Sequence, residues 1–119
     1  MAATIEFDSR YAAFFVRFNG QQYFEAHEAL EDLWRATQDD RRDFYKGLIQ
    51  TAAVFLKLKQ DKLAPAGRLA RRAPSILQRY EPRCEGLDVR RVTDLLRDVL
   101  QGRNPLAQGA PPHVEPTIL

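Results

Sequence analysis

The run Glu25-Ala26-His27-Glu28-Ala29-Leu30-Glu31, followed by Trp34, holds the chain's densest set of side chains able to do chemistry. On a helix, His27 and Glu31 stack one turn apart, as do the two metal ligands of an H-E-x-x-H motif. Glu31 stands where that motif has its second histidine, and a carboxylate is an acceptable ligand. Further ligands are scarce. The other histidine, His113, sits near the C-terminus, and the single cysteine, Cys84, lies far along the chain. A di-iron carboxylate centre needs Glu-x-x-His pairs from two helices. Phe24 occupies the position three before His27, and no second copy of the run exists. A metal held by His27 and Glu31 is therefore the weaker alternative, and no metal or cofactor is expected. The plainer arrangement is a histidine that orders a helix interface, with Glu31 accepting its ring proton.

Five helices must position these residues. The first runs from Asp8 or Ser9 to Phe18, capped by Asp8. Tyr11, Phe14, Phe15 and Phe18 form its apolar stripe, and Asn19-Gly20 stops it. The second spans about Gln21 to Thr37, with Tyr23, Ala26, His27, Leu30, Leu33 and Trp34 on one broad face. Glu31 lies at the margin of that face, while Glu25, Glu28 and Asp32 point away. The third, about Arg41 to Lys59, is apolar nearly all round and belongs at the centre of the core. Its polar remainder is a stripe of Lys46, Gln50 and Lys57. Gly47 costs about 1 kcal/mol of helix propensity against Ala, which implies close approach of a neighbouring helix.

The fourth helix, about Leu63 to Tyr80, contains Pro74 and is expected to kink or split there. The fifth opens on Asp88 as N-cap, with Leu87 and Val92 as a hydrophobic staple, and closes at Gly102. No strand alternation is visible. The fold class is all-α: one compact bundle of about five helices over residues 1–102. Residues 103–119, rich in proline, form an extended tail that either wraps the body or stays loose.

If helices two and three form an antiparallel hairpin about Gln38-Asp39, residues equidistant from the break lie level. His27 then falls beside Gln50 and Glu31 beside Lys46, with Tyr45 near them. The quartet reads in two ways. It is a structural network, with a Glu31–Lys46 ion pair and a His27–Gln50 hydrogen bond. Or it is a site, with a general base, a carboxylate that orients it and a cation for an anionic group.

A chain of 119 residues with 45% hydrophobic and 29% charged side chains suits one globular domain. The longest uncharged stretch, Gly47 to Leu56, is too short to cross a membrane, and the first ten residues do not resemble a secretion signal. A lone cysteine allows no internal disulfide, so a cytoplasmic protein is expected. The net charge of +2 hides an asymmetry. Residues 1–43 hold five Lys/Arg and nine Asp/Glu, a net of −4, and residues 44–119 hold thirteen and seven, a net of +6. Such a split favours head-to-tail association or an acidic partner. Arg68, Arg71, Arg72 and Arg79 form a basic stripe on helix four, but with no aromatics among them and no nucleic-acid motif they read as a solvated face. Gly-rich phosphate loops and a G-x-S-x-G elbow are missing from the sequence.

The string Phe18-Asn19-Gly20-Gln21-Gln22-Tyr23-Phe24-Glu25-Ala26-His27-Glu28-Ala29-Leu30-Glu31-Asp32-Leu33-Trp34, with Phe44-Tyr45-Lys46-Gly47-Leu48-Ile49-Gln50, resembles the bacterial and archaeal family called domain of unknown function 309. The resemblance covers about residues 18–88 and continues through Lys57 or Lys59, Tyr80-x-Pro82 and Gly86-Leu87-Asp88. It implies a compact all-helical bundle and carries no settled activity. The family's motif residues fall on Glu25, His27, Glu28, Glu31, Trp34, Tyr45, Gly47 and Gln50. The chain departs at the link between helices three and four, where Gln60-Asp61 and Pro65-Ala66-Gly67 stand in place of a Gly-Asn turn and a Gly-Ala start. Gly20, Tyr23 and Ala26 are also similar to a tetratricopeptide helix pair, though without a second repeat. The favoured function is an uncharacterised helical domain that self-associates or binds a protein partner. The alternative is a small enzyme or ligand binder built on His27, Glu31, Lys46 and Gln50.

Overall fold

The aromatic stripe of the first helix sets the packing order. In the computed structural model, which describes residues 7–117, helix α1 (Ser9–Asn19) buries Tyr11, Phe14, Phe15 and Phe18. The Asp8 carboxylate accepts the Arg10 backbone N–H at 2.8 Å, capping the helix as its sequence implies. Phe18 meets Tyr23 of α2 (Tyr23–Ala36) and Phe55 of α3 (Arg41–Lys59) edge-on, which ties the first three helices into one aromatic core.

Helix α3 is central. It packs on α2 at one side and on α4 (Leu63–Leu77) at the other, while α2 and α4 make at most marginal contact. Gly47 marks where α3 and α4 close up, since a Cβ there would lie 2.6 Å from Leu77 Cδ2. The close approach implied by a mid-helix glycine is therefore real. Helix α5 (Val89–Leu100) lies on α4 with Val89, Val92, Leu96 and Val99 buried. Its Asp88 cap accepts the Arg91 N–H at 3.1 Å, and Leu87 and Val92 are both buried. The chain is an all-α bundle, and no helix among the described residues is long and apolar enough to cross a membrane.

Two features differ from the sequence reading. Helix α4 passes through Pro74 as one α-helix and ends in a single 3-10 turn, Gln78–Tyr80. Ala66, Ala70, Ala73 and Leu77, all buried, hold the helix against its neighbours on both sides of the proline. Next, a small antiparallel pair, β1 (Arg83–Cys84) and β2 (Leu87–Asp88), joins α4 to α5 where only loop was expected. Its two-residue turn, Glu85-Gly86, has φ of 47° and 74°, as a type I′ hairpin requires.

Of the two arrangements the sequence left open for the tail, the docked one is found. The Asn19 amide donates to the Val114 carbonyl at 2.8 Å and accepts the Val114 N–H at 2.9 Å, serving as a substitute strand. Val114 itself is buried. Beyond it, the Thr117 N–H donates to the Gly86 carbonyl at 2.8 Å, so the tail runs from the end of α1 toward the β-turn.

Candidate functional site

The cluster expected on α2 is only partly assembled. His27 and Glu31 approach as an i, i+4 pair, with Nδ1 3.3 Å from Glu31 Oε2, both side chains about a third exposed or less. The alignment is not that of a hydrogen bond, and His27 Nδ1 is buried without a partner. Glu31 instead takes the Arg35 guanidinium, one turn further along the same helix. The expected Glu31–Lys46 ion pair is not formed. Lys46 is exposed and makes no ion pair among the described residues. Nor do His27 and Gln50 exchange a hydrogen bond, and Gln50 Oε1 is a second buried atom left unpartnered. The equal-distance register placed these residues level but could not supply their helix rotation. Rotation decides which side chains meet, and Glu31 found a nearer cation on its own helix.

The remaining members of the set scatter. Glu25 and Glu28 are exposed on the outer side of α2. Trp34 is half-buried, with the Arg42 guanidinium 4.4 Å above its ring, a cation–π contact that pins the turn between α2 and α3. Tyr45 is buried, but at the opposite end of the hairpin from His27 and Gln50. Among the described residues no three His, Cys, Asp or Glu side chains converge as a metal site.

Tyr45 leads to a different place. A cleft of about 730 Å³ opens where the start of α1, the end of α2, the start of α3 and the β-turn meet. Its floor is Tyr11, Leu33 and Tyr45, with Phe7 at one wall. Two guanidiniums stand at its sides, each on a carboxylate. Arg10 reaches Asp8 through Nε at 3.1 Å and Nη2 at 3.0 Å. Arg41 holds Asp39 through Nη2 at 2.8 Å and extends Nη1 to Glu85 Oε1 at 3.3 Å. Hydrogen bonds from these arginines lower the carboxyl pKa of Asp8 and Asp39 below the usual range.

Glu85 is the feature that sequence reasoning missed. The hairpin holds it in the left-handed region, uncommon for a residue with a Cβ, and the Tyr11 hydroxyl donates to its carbonyl at 3.0 Å. Its Oε2 is buried and without a hydrogen-bond partner. Burial, and then the neighbouring Glu85 carboxylate, push the Tyr45 phenol up; burial does the same to Tyr11. Cys84, next to Glu85, is likewise pushed up to about 11 by burial, so it remains a thiol at neutral pH. The available signal was Glu85-Gly86 between Cys84 and Leu87, two residues with hairpin-turn spacing. Glutamate is a poor match to the Asn-Gly or Asp-Gly pattern that marks such turns.

Fold and site together define a small helical bundle with a charged, aromatic-floored cleft and no assembled catalytic triad or metal cage among the described residues. The profile of the family described as Domain of unknown function (DUF309) matches residues 11–69, and the chain belongs to that family. A curated relative, "Uncharacterized protein YpuF" of Bacillus subtilis (strain 168), is 32% identical over 95 residues. That alignment covers 76% of this chain and 55% of the relative, so the chain spans about half the length of the protein it matches. No solved structure matches the chain. The family match takes in Tyr11, Arg41 and Tyr45 of the cleft, whereas Asp8, Arg10 and Glu85 lie outside it.

Proposed function

We propose that this chain is a non-enzymatic association module of the cytoplasm that binds further copies of itself through two oppositely charged flanks. One observation carries the reading. Glu25, Glu28 and Asp32 lie exposed on α2 and make no ion pair among the described residues. Arg68, Arg71 and Arg72 lie exposed on α4 in the same condition. Central α3 lies between the two helices, which make at most marginal contact, and no ion pair joins the acidic and basic sets among the described residues. Within a single copy they do not neutralise one another; between two copies they can.

Each flank also carries an apolar side chain that nothing in the bundle covers. Phe24, 53% exposed, precedes Glu28 by one turn of α2, and Leu63, 61% exposed, opens α4. Different patches meeting in this way form a heterologous contact, which builds a ring if the rotation closes and a filament if it does not. Charge pairs that lose their water at such a contact steer and orient association more than they strengthen it. The lone Cys84 supports a reducing compartment.

Charge reversal tests the proposal cleanly. A variant with Glu25, Glu28 and Asp32 all changed to Lys has two basic flanks; one with Arg68, Arg71 and Arg72 all changed to Glu has two acidic flanks. Sedimentation at low salt should show the native chain associating, each variant monomeric, and their mixture associating again. A native chain that stays monomeric at every concentration and salt level refutes self-association.

A further inference from the structure

The cleft at the turn end of the hairpin has unequal accounts of donors and acceptors. Asp8 and Asp39 are each taken up by an arginine on the same side of the cleft. Arg10 spends Nε and Nη2 on Asp8, which leaves Nη1 uncommitted among the described contacts. Arg41 reaches Glu85 only at 3.3 Å, the longest of its ion-pair contacts, against 2.8 Å to Asp39. One Glu85 carboxylate oxygen is buried without a well-aligned hydrogen bond, the Tyr45 phenol standing beside the carboxylate, and the other oxygen is held only by Arg41. One anionic acceptor and one cationic donor edge thus remain, across a floor of Phe7, Tyr11, Leu33 and Tyr45.

We propose that this cleft binds a small amino-carboxylate with an apolar or aromatic body. The ligand's ammonium takes Glu85 in place of the long Arg41 contact. Its carboxylate then faces Arg10 Nη1 and the released Arg41 Nη1, and its body lies against Phe7, the partly exposed aromatic of the lining. A volume of about 730 Å³ is ample for such a molecule and falls within the usual range for small-ligand sites. A simple cation that takes Glu85 leaves the displaced Arg41 Nη1 unanswered, and a simple anion leaves Glu85 with only its long Arg41 contact. Only a ligand carrying both charges satisfies both. The hairpin supports the role by its rigidity: Glu85 is fixed by its turn, by the Tyr11 hydroxyl and, through Gly86, by the Thr117 N–H of the docked tail.

Three probes of matched shape separate the contributions: phenylalanine, phenethylamine, which lacks the carboxylate, and hydrocinnamate, which lacks the amine. Titrating each into the 119-residue chain, followed by NMR shifts of the Tyr45 and Glu85 amides, should give saturable binding of phenylalanine about tenfold or more tighter than either relative. Glu85→Gln should weaken phenylalanine by about tenfold and leave hydrocinnamate unchanged. Arg10→Gln, at a surface position that does not threaten folding, should remove the preference for phenylalanine over phenethylamine. Equal affinities for all three probes, or the absence of any saturable shift, overturn the proposal. So does phenylalanine binding that Arg10→Gln leaves intact with its preference unchanged. Monomeric protein that still binds phenylalanine in this pattern would sink the association reading and leave this one standing.

Discussion

The α2 cluster and the cleft use similar side chains and are built in opposite ways. His27, Glu31 and Arg35 sit at i, i+4 and i+8 of one helix, and their contacts stay on that helix. Arg10, Arg41, Tyr45 and Glu85 come from three separate segments, α1, α3 and the β-turn, and the most distant pair, Arg10 and Glu85, is brought together by the whole bundle. Helical spacing creates the first set at almost no cost in chain entropy. That is also why it means little: such pairs recur on the surface of any charged helix and are worth about 0.3–0.5 kcal/mol. Convergence of three segments requires the core to be complete, and it produces a carboxylate with one buried oxygen that no single helix could hold.

If the comparison is right, the fold should be far more sensitive to changes at the turn end than at the α2 edge. The largest effect is expected from Gly86→Ala. A Cβ there meets the Thr117 carbonyl oxygen at 2.6 Å and Phe7 Cζ at 2.7 Å, on a backbone with φ of 74°. The left-handed penalty and overpacking together should cost about 2–3 kcal/mol in urea unfolding and release the tail. A loss below half a kcal/mol would mean that the hairpin does not hold the cleft.

Gly47→Ala comes next. Its gain in helix propensity is offset by the clash with Leu77, for a net loss of about 1–2 kcal/mol by the same measurement. Tyr11→Phe removes the hydrogen bond to the Glu85 carbonyl and should cost about 1 kcal/mol at neutral pH.

The phenols also predict an alkaline limb. Burial raises Tyr11, Tyr45 and Tyr23, the last to about 12, above the ordinary value of about 10. From pH 10 upward the unfolded chain releases these protons while the folded chain retains them. The associated stability is therefore whole below pH 10 and lost as pH rises through the folded values. Tyr23→Phe should flatten the stability curve between pH 10 and 12, and a curve identical to that of the native chain would refute the burial argument. Smallest of all is Glu31→Gln, expected to change stability by less than about 0.5 kcal/mol because its partners are local and partly exposed. Should it exceed the Tyr11→Phe effect, the ranking of the two regions reverses.

Much of the fold was open to reading along the chain, because short-range physics settles it. Asp8 and Asp88 cap helices by reaching N–H groups two or three residues away. The Tyr11–Phe18 stripe and the bounds of α3 follow from the period of the helix. Pro74 does not split α4, because packing on both sides of a helix outweighs the loss of one backbone hydrogen bond. The Glu85-Gly86 turn was missed because its backbone is imposed by the pairing of Arg83 with Asp88 and of Cys84 with Leu87, which a preference at one residue does not reveal.

The sequence alone determined that this protein is an all-helical bundle with a central third helix, and that His27 and Glu31 share a surface. Periodicity and caps act over one or two turns, so they survive without knowledge of the rest. Tertiary structure alone decided that Tyr45 faces Glu85 rather than His27, that Lys46 does not reach Glu31, and that the tail closes on Asn19. These outcomes depend on the rotation of each helix about its axis. That rotation is set by how all the buried side chains interlock, a property of the whole core and not of any one segment.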